Sequence, residues 1–217
     1  MIVTTDFELD RVSPPNLPLA PTDYDSRYQE QFNNVLRLFF NRLNSIFGQL
    51  NASDIATLRF PYGAFSSNQD QAVTANTATL MTLNTTDFSN GVSIVSSKIT
   101  VASAGIYNLQ WSGQFQNTDN QIQDISVWLR QNGTDIVGST GYFSIPARKS
   151  ASAGEEAHEI IGWNYYLQMA ANDYVEIWWS ATLASVSLQY YAAATTPTRP
   201  ATQSVVATMS FVSALPA

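Results

Sequence analysis

The only histidine of the chain lies among acids, in the run Glu155-Glu156-Ala157-His158-Glu159. Carboxylates beside an imidazole can build a metal site or do general acid–base work. A transition-metal site needs more nitrogen or sulfur than one ring supplies, and the 217 residues include no cysteine and no second histidine. A Ser-His-Asp device would have to use His158. No Gly-x-Ser-x-Gly elbow, phosphate-binding loop or Gly-x-Gly-x-x-Gly turn is present. Paired carboxylates could hydrolyse a glycoside across a cleft, but Glu155, Glu156 and Glu159 crowd a single loop and strand start. The run therefore reads as a polar loop end leading into a strand. The expectation is a non-enzymatic protein with no catalytic residue, no metal and no cofactor.

Composition narrows the partners. Ten basic residues face 17 acidic ones, a net charge of −7. Only 12% of residues are charged, about half the usual share, so Asn, Gln, Ser and Thr must supply the polar surface. Arg148-Lys149 is the only adjacent basic pair, which gives no basic patch for nucleic acid. No run of 18 apolar residues exists, so no helix is expected to span a membrane. Without cysteine there are no disulfides, zinc fingers or iron–sulfur clusters.

The elements fall into three parts: an arm (1–22), a helix with its linker (23–56) and a β head (57–217). In the arm, Phe7-Glu8-Leu9-Asp10 alternates apolar and acidic, as a short strand does. Pro14, Pro15, Pro18 and Pro21 then enforce extended backbone. Such a segment is either a free tail or an anchor that orders on a partner. Phe7, Leu9, Leu17 and Leu19 favour the anchor.

Residues 22–51 read as one helix, capped by Thr22 and stopped near Gly48 and Asn51. Its apolar stripe is Phe32, Leu36, Phe39, Leu43, Ile46 and Leu50, with steps of 4, 3, 4, 3 and 4. That is an unbroken heptad seam. Tyr28, Val35, Leu38 and Phe47 widen it. The stripe can pack on the head or on copies of itself, and the regular spacing favours copies.

The head reads as about ten short antiparallel strands separated by turn residues, a jelly-roll sandwich. The strands are expected at 58–65, 78–83, 93–101, 105–116, 125–131, 135–140, 158–169, 174–183, 186–194 and 205–212. Asn132-Gly133 marks a hairpin turn. Alternation assigns Tyr107, Leu109, Trp111 and Phe115 to one face, with Ile125, Val127 and Leu129 facing inward from the next strand. Once the core faces are filled, Trp128, Tyr166, Tyr174 and Trp178 remain on second faces, with one of Tyr190 and Tyr191. So much aromatic surface suggests either a subunit interface or a sugar-stacking site, and the heptad seam favours the interface.

Three stretches carry a resemblance: Gly105-Ile106-Tyr107-Asn108-Leu109, Val127-Trp128-Leu129-Arg130-Gln131-Asn132-Gly133, and Leu167-Gln168-Met169-Ala170-Ala171-Asn172-Asp173-Tyr174-Val175-Glu176-Ile177. Over residues 58–212 the chain resembles the trimeric jelly-roll heads of the tumour-necrosis-factor and complement-head superfamily. Asn172 stands where those heads usually carry glycine. The front end, Leu17-Pro18-Leu19-Ala20-Pro21 followed by Tyr24, Tyr28 and the 35–43 stretch, is similar to the leaders of small virion proteins of tailed phages, cyanophages especially. Together the resemblances imply a homotrimeric appendage or decoration of a phage particle, assembled in the host cytoplasm. Residues 1–22 would hold a capsid or tail protein, and the head would be displayed outward. The alternative is a host-adhesion fibre head that recognises a surface glycan or protein.

Overall fold

The computed structural model describes residues 15–19, 21–49 (main chain only for 46–49), 60–150, 152 and 155–215. The chain divides into two units, 1–59 and 60–217. Phe7 and Leu9 lie outside the described residues. Residues 15–19 form neither helix nor strand, and Leu17 and Leu19 are exposed.

Helix α1 runs Ser26–Gln49. Its N-cap is Asp25 instead of the expected Thr22. The Asp25 carboxylate accepts the Arg27 amide at 2.9 Å, and its carbonyl accepts the Gln29 amide at 3.1 Å. An aspartate there both satisfies a free amide and suits the positive helix end. Gly48 lies inside the helix and does not end it; Leu50 and Asn51 lie outside the described residues. Phe32, Leu36, Phe39 and Leu43 are half-buried along the seam, and the side chain of Ile46 is not among those described. Leu38 and Phe40, beside the seam, are exposed.

Among the described residues the head is a sandwich of two seven-stranded antiparallel sheets, with two further strands in a separate hairpin. In sheet 1, β7 (Gly105–Asn117) pairs along one whole edge with β11 (Ala157–Met169). Its other edge takes β16 (Val205–Ser213) and then β13 (Val186–Leu188). Beyond β16 come β1 (Tyr62–Ser67) and β4 (Thr85–Asn90); β2 (Gln71–Ala72) joins β13. Sheet 2 has the order β10 (Gly141–Ile145), β8 (Gln123–Gln131), β12 (Tyr174–Ala181), β6 (Lys98–Val101), β5 (Val92–Val95). Here β3 (Thr79–Leu80) adds to β12, and β9 (Thr134–Asp135) to β8. A small hairpin, β14 (Ala194–Thr195) with β15 (Thr198–Arg199), stands apart. The long strands order β1-β16-β7-β11 in one sheet and β6-β12-β8-β10 in the other, which is jelly-roll connectivity.

Several expected strands differ from those observed. Residues 93–101 are two strands, because Ser96 and Ser97 both take positive φ (52° and 63°) and make a tight turn. The 135–140 stretch keeps only its first residue in β9, and the next strand starts at Gly141. Val186–Ala194 shrinks to Val186–Leu188. Thr85–Asn90 is a strand that shows no alternation, because it is an edge strand with mostly exposed side chains. Trp163 shares the inward side of sheet 1 with its cross-strand partner Trp111 but is 42% exposed, because it lies on the edge strand β11, where the opposite sheet gives less cover.

The motif residues have packing reasons. Tyr107 is fully buried, and its hydroxyl donates to the Ser103 carbonyl at 2.7 Å. Burial pushes its pKa up to about 12. Phe211 packs edge-on against Tyr107, with centroids 5.5 Å apart, and occupies the space that a Cβ on Gly105 would need. Asn132 and Gly133 turn β8 into β9 with φ of 50° and 81°, and Asn172 takes φ of 68°, a region asparagine tolerates.

Both ends of the head's chain lie at one end of the sandwich, where the Phe211 amide donates to the Pro61 carbonyl. The turns at 102–104, 132–133 and 170–173 share that end. The opposite end carries the longer loops. Buried Asn117 braces two of them: its amide donates to the Gln121 and Pro146 carbonyls at 2.9 Å each, and its carbonyl accepts the Asp119 amide at 2.9 Å. Replacing Asn117 with Ala removes all three bonds and strands buried partners, so urea denaturation should show a loss of roughly 2–4 kcal/mol. An unchanged midpoint would mean that the loops hold without this brace.

Candidate functional site

The two outward faces of the sandwich have opposite chemistry. On sheet 1 the outward side chains are Ile106, Asn108, Gln110, Ser112, Gln114 and Gln116 from β7, with Ile160, Gly162, Asn164, Tyr166 and Gln168 from β11. Val206, Thr208 and Ser210 of β16 continue the same rows. None of these positions carries Asp, Glu, Lys or Arg. Ile160 is 68% exposed and Tyr166 60%. Asn108, cross-strand neighbour of Tyr166 and Ser210, has a buried side-chain oxygen with no hydrogen-bond partner.

Sheet 2 holds its charges outward, and they are tied to aromatic rings. Trp128 and Trp178 are cross-strand partners, and Arg130 and Glu176 form the next row. The Trp128 indole donates to Asp135 at 2.9 Å, and the Arg130 guanidinium makes an ion pair with the same oxygen at 2.8 Å. Arg130 also lies over the Trp178 ring, 4.1 Å from its centroid. The Trp178 indole donates to Glu176 at 3.3 Å. Lys98 sits 4.3 Å above the Tyr174 ring. Further along, Asp124 accepts the Tyr142 hydroxyl at 2.7 Å and the Ser144 hydroxyl at 2.6 Å.

Thus the four aromatic residues left over by the sequence pattern do not form one patch. Trp128, Tyr174 and Trp178 share a face of sheet 2 and are half-buried under their own neighbours. Tyr166 stands on the opposite side of the sandwich, on sheet 1. Sequence periodicity found the outward positions; it gave no view of the cations that cover them, because that cover depends on the β8–β12 register.

His158 lies at the loop-rich end. Its Nδ1 is 3.2 Å from the Tyr191 hydroxyl, and the rings meet edge to face at 5.7 Å. Arg199 lies over Tyr191 at 5.4 Å, and Asp70 accepts the Tyr190 amide at 2.7 Å. Burial, then the charges of Glu156 and Asp70, raise the Tyr191 pKa. The structure thus joins His158 to Tyr191 on a distant loop. Among the described residues no group of three or more His, Cys, Asp or Glu could hold a metal ion. No described helix is long and apolar enough to cross a membrane. Comparison with family models and with curated proteins gives no match.

Asp124 and Asp135 are each held below the usual carboxylate range. For Asp124 the causes are the bonds from Ser144 and then Tyr142; for Asp135 they are the bonds from Arg130 and then Trp128. A carboxyl depressed in the folded state stabilises it above the ordinary aspartate value of about 3.9, and that contribution is lost as pH falls through the lower folded-state value. Tryptophan fluorescence should therefore step with a midpoint below pH ~4, and Asp135→Asn should shrink the step. A step unaffected by Asp135→Asn would show that Trp128 does not depend on this carboxylate.

Proposed function

We propose that this protein is a non-enzymatic structural component of a tailed-phage particle, a homotrimer held to the virion by residues 1–22 with its β head displayed outward. The uncharged face of sheet 1 carries the self-association part of the reading. Surfaces that face water are typically about 25–35% charged, and interface centres are depleted in charge. Sheet 2 carries Lys98, Asp124, Arg130, Asp135 and Glu176, whereas sheet 1 has Asp87 on its edge strand β4 and Glu159 near the start of β11, away from the middle of these rows. Ile160, Tyr166 and Val206 would be the apolar anchors of the contact. Trp128, Tyr174 and Trp178 already have partners in their own chain, so the head contact belongs to Tyr166 and its sheet. The seam from Phe32 to Leu50 would add a short trimeric coiled coil. The virion setting and the number three rest on the resemblances of the head motifs and the leader.

Sedimentation equilibrium should give a mass near three times 23.9 kDa. Ser112→Glu combined with Thr208→Glu puts charge into the middle of the sheet 1 face. It should raise the concentration for assembly by at least about tenfold, the equivalent of about 1.4 kcal/mol, with the far-UV β signal unchanged. A variant that assembles like the parent would remove sheet 1 from the contact.

Attachment is assigned to the arm because its apolar side chains have no means of burial in so proline-rich a stretch. The ten residues Ser13–Thr22 span about 30 Å at the polyproline rise, enough to cross one neighbouring subunit. Residues 1–30 hold six acids against two bases, which suits a basic docking surface on a capsid or tail protein. Deleting residues 2–21 should leave a soluble trimer that is absent from purified particles. Particles that still carry the truncated protein at normal copy number would place the anchor elsewhere.

A further inference from the structure

Strand β11 pairs with β7 along one edge, and among the described residues no strand pairs with its other edge. It is 13 residues long, with no proline and no break in register. Glu159 is its only Asp, Glu, Lys or Arg. The other outer strands are shorter. β4 has six residues, an aspartate and a break in its pairing, β10 has five residues and β5 has four. A long, flat edge with little charge is a template for another strand, and proteins usually block such edges with lysine, proline or a bulge.

The ladder fixes which main-chain groups of β11 face that edge. In β7 the Gln114 amide donates to the Ser204 carbonyl, and the Gln114 carbonyl accepts the Gln189 amide. Even-numbered residues of β7 therefore point their main-chain groups away from β11, and odd-numbered ones point towards it. The register sets Trp111 opposite Trp163, so the odd-numbered residues of β11 bond β7. The amides and carbonyls of Ile160, Gly162, Asn164 and Tyr166 are left pointing out along the unpaired edge. Beyond them the Gln131 side chain donates to the Gln168 carbonyl at 3.0 Å, which closes the open stretch on that side.

We propose that this edge pairs antiparallel with the same edge of a second copy, about a twofold axis at Trp163. A second copy is the occupant because the strand is its own complement in that register. Ile160 falls opposite the partner's Tyr166, and Gly162 opposite the partner's Asn164. Ile160 and Tyr166 are the exposed large side chains of this row, and they cover each other as an aromatic–β-branched pair. Moving the axis to Gly162 or Asn164 would set Ile160 opposite asparagine or glutamine instead. The four open residues of each copy exchange about eight hydrogen bonds in all, two per facing pair. On the inner side the two Trp163 rings meet at the axis and cover their exposed surface. The contact is made by the main-chain edge, so it goes beyond the sheet 1 contact and does not depend on a threefold assembly.

The chain has no cysteine, so an engineered disulfide reports the pairing without background. All variants are made in the full chain carrying Ser112→Glu and Thr208→Glu, so that the sheet 1 contact cannot supply a cross-link and its failure stays separate from this one. Trp163→Cys puts a thiol on the axis at a non-hydrogen-bonded pair, where Cα atoms lie about 4.5 Å apart, within disulfide reach. Mild oxidation should give a covalent dimer on a non-reducing gel. Ile160→Cys and Tyr166→Cys each keep Trp163, in case its loss harms folding. Alone, each holds its two thiols about 20 Å apart and should not cross-link; mixed, the two variants should cross-link to one another. Asn164→Pro removes an amide that faces the open edge and none that bonds β7, and should cut the Trp163→Cys cross-link by at least about tenfold with the far-UV β signal retained. No cross-link from the mixed pair overturns the proposal. So does cross-linking of Ile160→Cys or Tyr166→Cys alone that matches the mixture.

Discussion

Strand β7 is paired along both edges, with β11 on one side and β16 and β13 on the other. A strand held on both sides cannot slip by one residue without turning every side chain to the wrong face. Tyr107, Leu109, Trp111 and Phe115 are therefore committed to the core, and Asn108, Gln110, Ser112 and Gln114 to the outside. Their cross-strand neighbours on β11 and β16 inherit the same assignment. The hydrophobic core of the head and the chemistry of its sheet 1 face both follow from this one alternation.

With the inner faces filled, the two outer faces divide the remaining chemistry. Sheet 1 presents amides, hydroxyls and a few apolar side chains in unbroken rows. Sheet 2 collects carboxylates, cations and indoles and satisfies most of them locally. Sheet 2 carries Lys98, Asp124, Arg130, Asp135 and Glu176, against Asp87 and Glu159 on sheet 1.

The long strands were legible in the sequence because 105–117 alternates regularly and 157–169 and 174–181 are rich in large apolar and aromatic residues between turn residues. The edge elements were not. Thr85–Asn90 has one side against β1 and most side chains in solvent, so its residue types carry no period. The turn at Ser96-Ser97 uses serines where a tight turn favours Asn or Gly. The outward aromatic residues could be found in the sequence, but their cover could not. Arg130 reaches Trp178 only because β8 and β12 set Arg130 opposite Glu176, one row from the tryptophan pair. The contact of His158 with Tyr191 likewise depends on a loop that brings together residues 33 apart in sequence.

The first and last strands of the head are neighbours, and the Phe211 amide is bonded to the Pro61 carbonyl where the chain comes in. Tension transmitted through residue 60, directed away from that end, acts along β1. The bonds from β1 to β4 and β16 lie across the line of pull and carry it in parallel. They cannot open one at a time, as a peeled hairpin does; the ladder must yield together. Rupture under load is governed by the height of that barrier and not by equilibrium stability. The jelly-roll order thus gives the head a root that is loaded in shear when its first strand is pulled.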